Sequence, residues 1–149
     1  MRSDTLTLAT WSLLVLFSTT GALAAVQPDY NPPPGVINPQ VTQANIALTI
    51  CRSGWAKSIR PPASYTNALK RKQMRERHLP GKSADYEEDH LIPLELGGHP
   101  NGPRNLWPQP WPQARIKDKW EMGYNRAVCA ERTTLAVAQR RIKDPSTWR

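Results

Sequence analysis

Cysteine is scarce in this chain, phenylalanine is nearly absent and histidine is rare: of 149 residues, two are Cys, one is Phe and three are His. Nothing in it has the spacing of a zinc finger or the look of a base-reading helix, so sequence-specific DNA recognition by those modules is excluded. The single phenylalanine, Phe17, lies in a leading apolar run, so an aromatic core must be built from tryptophan and tyrosine. There are no internal repeats. Acidic residues are also short, 12 against 20 Lys and Arg, for a net charge of +8. That balance favours polyanions by Coulomb attraction, whether nucleic acid, anionic lipid or cell-wall polymer, without choosing among them. The cations are spread along the chain, which fits an ordinary solvated surface equally well.

An apolar run long enough to span a bilayer is missing too. Leu6 to Phe17 gives only twelve residues, and its extension to Ala25 takes in Ser18, Thr19, Thr20 and Gly21, whereas a spanning helix needs about 20 mostly apolar residues. Arg2 before the run and Ala22-Leu23-Ala24 after it complete the layout of a cleaved export signal over residues 1–24. Its removal takes one Arg and one Asp and leaves the net charge unchanged. The expectation is therefore a secreted or periplasmic protein with no stable membrane anchor. In that compartment Cys51 and Cys129 read as one long-range disulfide, with two buried free thiols as the alternative. The remaining length of about 125 residues makes one domain.

Residues 25–40 are proline-rich (Pro28, Pro32, Pro33, Pro34) and predict an extended, partly disordered leader to a single domain over 41–149. Thr42 caps a short helix with Ile46 and Ile50 on one face, and Gly54 stands where a left-handed C-terminal cap is wanted. After Arg60-Pro61-Pro62, Ser64 or Thr66 caps a basic helix from Asn67 to about Arg77. Its Lys70, Arg71 and Arg75 are candidate phosphate contacts, as is Arg115 further on; a solvated face is the other reading. Leu91, Ile92, Leu94 and Leu96 suggest a short strand, and Gly97-Gly98 a sharp reversal. From Gln113 the pattern turns helical, with Ile116, Trp120 and Tyr124 four apart. A last helix is capped by Thr133 or Thr134 and lines up Leu135, Ala138 and Ile142.

Asp89-His90, the following Leu91-Ile92-Pro93, the pair Gly97-Gly98 and then Asn105-Leu106 resemble the HNH endonuclease motif, over about 35 of the residues. The resemblance implies an α+β fold: a small ββα-metal core flanked by short helices. It implies His90 as general base, since an imidazole is mostly neutral near pH 7 and can take a proton from water. It implies Asp89 as metal ligand, and Asn105 as a brace that bridges backbone groups, holds the loop closed and orients His90. Oxygen ligands favour a divalent hard ion, magnesium first, with manganese or zinc as alternatives.

The chain departs from that pattern in its third element. A histidine or asparagine is expected on the following helix, and that window holds Gln113, Ala114 and Arg115 instead. Asp118, or failing that Glu121, is the substitute ligand one turn later, although Lys117-Asp118-Lys119 also reads as a solvated charge run. Trp107 and Trp111 suit a core better than base stacking, His78 reads as loop surface, and His99, which could reach the site, reads rather as a solvated loop histidine. The leading expectation is a metal-dependent endonuclease acting on DNA or RNA with little sequence preference. A non-catalytic polyanion-binding protein on the same scaffold is the alternative, and a structural envelope protein a third.

Overall fold

The computed structural model describes residues 26–148; the export signal expected over 1–24 lies outside the described residues. The architecture is a small α+β domain built on one two-stranded antiparallel sheet. Strand β1 is Tyr86–His90 and β2 is Leu106–Pro110, with Glu87 opposite Gln109, Asp89 opposite Trp107 and His90 opposite Leu106. Among the described residues four α-helices surround it: α1 Trp55–Ile59, α2 Ala63–Glu76, α3 Trp111–Cys129 and α4 Leu135–Ile142. Helices α2 and α3 each pack on both strands, and α4 packs on α3. No described helix is long and apolar enough to cross a membrane.

Several elements differ from their sequence patterns for identifiable reasons. The strand is the acidic run Tyr86–His90, and the apolar run after it is a loop with a 3-10 turn at Leu94–Leu96. Leu91, Ile92, Leu94 and Leu96 are fully buried in that loop, because Pro93 cannot continue a ladder and sends the chain inward. The segment after Thr42 is a 3-10 helix, Gln43–Leu48, and left-handed Gly54 caps the start of α1 rather than ending the preceding helix. Helix α2 begins at Ala63, directly after an extended Pro62 that makes no side-chain cap, so Ser64 and Thr66, the expected caps, lie inside its first turn instead. In α3, Pro112 sits in the first turn, where its missing N–H costs nothing, so the helix starts at Trp111.

The proline-rich segment is extended as expected, yet it is tied to the domain instead of free. Three of its amides reach the rest of the domain: Asp29 N–H to the Arg77 carbonyl at 2.8 Å, Gly35 to Arg104 at 3.0 Å, Asn38 to Gly97 at 2.8 Å. Pro33 and Asn38 are buried.

The core gathers Leu91, Ile92, Leu96 and Trp107 from the sheet region with Val128, Leu135, Ala138, Ile142 and Trp148. Helix α4 follows its predicted pattern: Thr134 Oγ1 accepts from Val137 N, and Leu135, Ala138 and Ile142 are buried. Of the predicted stripe on α3, Trp120 and Tyr124 pack against the core but Ile116 is exposed. Trp107 is core, whereas Trp111 is exposed, its indole N–H donating to the Ala84 carbonyl. Cys51 and Cys129 form a disulfide with Cα atoms 5.6 Å apart, tying the turn before α1 to the end of α3.

Candidate functional site

The loop between the strands is closed by Asn105. Its Oδ1 accepts the Ile92 N–H at 3.0 Å, and its Nδ2 donates to the carbonyls of Ile92 at 3.0 Å and His99 at 3.1 Å. Both amide protons are thus spent on backbone in a fully buried position, as the resemblance implied for a brace. Gly98 allows this approach. A Cβ there would lie 1.7 Å from the Ile92 carbonyl oxygen and 2.8 Å from Asn105 Nδ2, and Gly97 before it takes a left-handed backbone, φ 72°.

His90 ends β1 beside this loop, with Nε2 2.8 Å from the Pro100 carbonyl. A carbonyl can only accept, so Nε2 carries the proton and Nδ1 the lone pair. Burial, with help from the nearby Arg60 and Lys117 charges, lowers its pKa to about 4 despite that hydrogen bond, so the ring is neutral near pH 7.

His90 and Asp89 open on one recess of about 130 Å³, which Glu87, Glu88, Asp118 and Glu121 also line, with Arg60 as a cation at its edge. Crowded carboxylates out of water resist ionisation. Burial and then Asp89 push Glu87 up to about 7, burial pushes Glu88 up to about 8 despite Lys70, and burial pushes Glu121 up to about 7 despite Lys117. Asp118 is raised by burial and by Asp89. Both Glu88 oxygens, and Oε2 of Glu87, are buried with no hydrogen-bond partner. Gln109, directly across the ladder from Glu87, is fully buried and equally unpartnered.

The residue that the sequence pattern missed is Lys117. Placed by its neighbours in a solvated charge run, it is 0 % exposed. Its Nζ lies 3.1 Å from Asp89 Oδ1 and 3.0 Å from Asp89 Oδ2, donates to the His90 carbonyl at 2.8 Å, and is paired with Glu121. Burial works against the charge, but Asp89 and Glu121 outweigh it and hold the lysine pKa above its ordinary value. The Trp107 indole N–H donates to Asp89 Oδ2 at 3.1 Å as well. The signal available was spacing: Lys117 stands three residues after Ala114, on the helical face turned to the sheet.

The metal pair implied by the resemblance is therefore not assembled. Asp118 reaches the recess, but both oxygens of Asp89 are taken up by Lys117 and Trp107. Among the described residues no group of three or more His, Cys, Asp and Glu side chains is placed to hold a metal ion. The side chains present do not fit a divalent ion on Asp89.

Of the four candidate phosphate contacts, Lys70 is committed to the Tyr86 carbonyl at 2.8 Å. Arg71, Arg75 and Arg115 are exposed. His99 is half-buried, its Nδ1 accepting the Asn101 N–H at 3.3 Å, and His78 is exposed at the end of α2. A larger cavity, about 640 Å³, opens beside the disulfide. It has basic walls, Arg52, Lys57 and Arg126, and no histidine. No protein-family model matches the chain, and neither a curated protein nor a solved structure does.

Proposed function

We propose that this chain is an exported hydrolase of phosphodiester bonds in DNA or RNA, with His90 as its general base and little sequence preference. One observation carries the reading: the loop braced by Asn105 offers the Pro100 carbonyl to His90 Nε2, which leaves a neutral imidazole with its Nδ1 lone pair free beside a polar recess. The order β1, loop, β2, α3 supports it as well, because the resemblance implies those elements in that sequence.

In the proposed step Nδ1 takes a proton from water as its oxygen bonds to phosphorus and the ester P–O bond breaks. The leaving oxygen must regain a proton. Glu87, which holds its own to about pH 7, lines the same recess and can supply it. Arg60, exposed at the edge and only loosely paired with Glu95 at 3.5 Å, is the cation available to the phosphate. No step is assigned to a metal ion.

The test is plasmid nicking and RNA cleavage by the oxidised protein, with EDTA and with magnesium, manganese or zinc, alongside His90→Ala and Arg60→Ala. Cleavage lost in His90→Ala supports the reading, and cleavage unchanged in that variant rejects it. The net charge of +8 and the exposed Arg71, Arg75 and Arg115 favour a second reading, a non-catalytic polyanion binder. It predicts DNA binding that weakens steeply with salt and is indifferent to His90→Ala.

A further inference from the structure

We infer that the Lys117 ammonium is the permanent cation of this site, holding the place on Asp89 that the resemblance assigns to a divalent ion. The inference rests on the site described above but not on its turnover. An ammonium has three protons to donate, and three oxygen-bearing partners surround this one: the Asp89 carboxylate, the His90 carbonyl and the Glu121 carboxylate. The cage is made only of oxygen, the donor type that a hard cation would also choose. Its size differs, however. The contacts to Asp89 and His90 run from 2.8 to 3.1 Å, the span of N–H···O bonds, whereas a bare hard cation draws its oxygens to about 2.0–2.6 Å.

A divalent ion on Asp89 would sit within a few ångströms of a buried ammonium, where two like charges repel strongly, so occupancy is exclusive. Lys117 is tethered to α3 and closed off from solvent, so it does not dissociate as an ion would. This accounts for the missing third ligand: the helix delivers a charge in place of a ligand. Lys117 is accordingly a positioning residue. It fixes Asp89 and the backbone of His90 at once, and so holds the imidazole against the loop.

The experiment measures melting temperature and bound Mn²⁺, by electron paramagnetic resonance, on the oxidised full chain as wild type, Asp89→Asn, Lys117→Ala and Lys117→Arg. Wild type is expected to melt alike in EDTA and in millimolar Mg²⁺, Mn²⁺ or Zn²⁺. Lys117→Ala is expected to melt more than about 10 °C lower, and to recover part of that loss with Mn²⁺, which can enter the vacated oxygen cage. Lys117→Arg, which keeps the charge, loses less and gains nothing from Mn²⁺. Should Lys117→Ala not fold, the wild-type measurements still decide. A Mn²⁺ signal and stabilisation in wild type that Asp89→Asn abolishes overturns the inference, as does a Lys117→Ala protein that melts like wild type. Neither readout involves cleavage, so an inactive protein leaves this result intact and rejects only the proposed hydrolysis.

Discussion

Lys117 and Asp89 face each other between α3 and β1 with Nζ 3.0 Å from Oδ2, and their side chains are 0 % and 7 % exposed. A pair this dry owes its net worth to completeness, because each ion forfeits hydration that only its partners replace. Removing one member leaves the other stranded, and Lys117→Met should cost about 3–5 kcal/mol by denaturant unfolding. The double variant Asp89→Asn/Lys117→Met removes both charges and should be clearly more stable than the sum of the single losses implies. Additive losses across that cycle would mean the two residues do not act as a unit.

Asn105 is the second point of concentrated dependence. Replacing it by Ala strips partners from the Ile92 N–H and from the carbonyls of Ile92 and His99, in a position without access to water. Unsatisfied buried groups cost about 1–3 kcal/mol each, partly relieved by relaxation, so a loss of about 2–4 kcal/mol is expected. If the proposed hydrolysis holds, activity should fall further than stability explains, since the Pro100 carbonyl that holds His90 belongs to the same loop. Cleavage measured well below the melting temperature separates the two effects.

The disulfide joins positions 78 residues apart, and closing so long a loop removes much freedom from the unfolded chain. Reduction, or Cys51→Ser with Cys129→Ser, should lower stability by about 2–4 kcal/mol, on the order of 10 °C in melting temperature. Melting with and without a phosphine reductant measures it directly. An unchanged melting temperature would show that the bridge adds nothing beyond the contacts around it.

What was legible in the sequence followed from local rules. Thr134 with Leu135, Ala138 and Ile142 gives α4 because cap and period agree, and the expectation of Asn105 as a brace comes from the resemblance alone. The apolar run Leu91 to Leu96 mimics a strand but is apolar for burial in a loop, while β1 itself is Tyr-Glu-Glu-Asp-His, in which only the tyrosine is a strand former. It pairs because β2 is opposite and its ionisable side chains line a recess. Lys117 was hidden by its neighbours. Lys119 beside it is exposed as the charge run suggests, and only the three-dimensional position of Asp89 decides that one lysine of the two turns inward.

The acids of the recess make stability depend on pH in the opposite sense to most carboxylates. A carboxyl whose folded pKa is raised keeps its proton in the native state after the unfolded chain has released it, so stability falls as pH rises between the two values. For Glu87 and Glu121 that window runs from 4.5 to about 7, and for Glu88 from 4.5 to about 8. His90 acts the other way. Its pKa is lowered from 6.5 to about 4, so the unfolded state binds the extra proton and stability rises across that range. Asp89 and Asp118 are raised in the same direction, so the acids outweigh the one imidazole, and above pH 6.5 the histidine drops out while Glu87, Glu88 and Glu121 are still titrating. The melting temperature should therefore decline from about pH 6.5 to 8, the reverse of a protein held by ordinary salt-bridged carboxylates. Glu88→Gln keeps the shape and removes the titration, so its melting temperature should exceed wild type at pH 8 and approach it at pH 5. Parallel curves for the two proteins across that range would show that Glu88 does not carry its proton into neutrality.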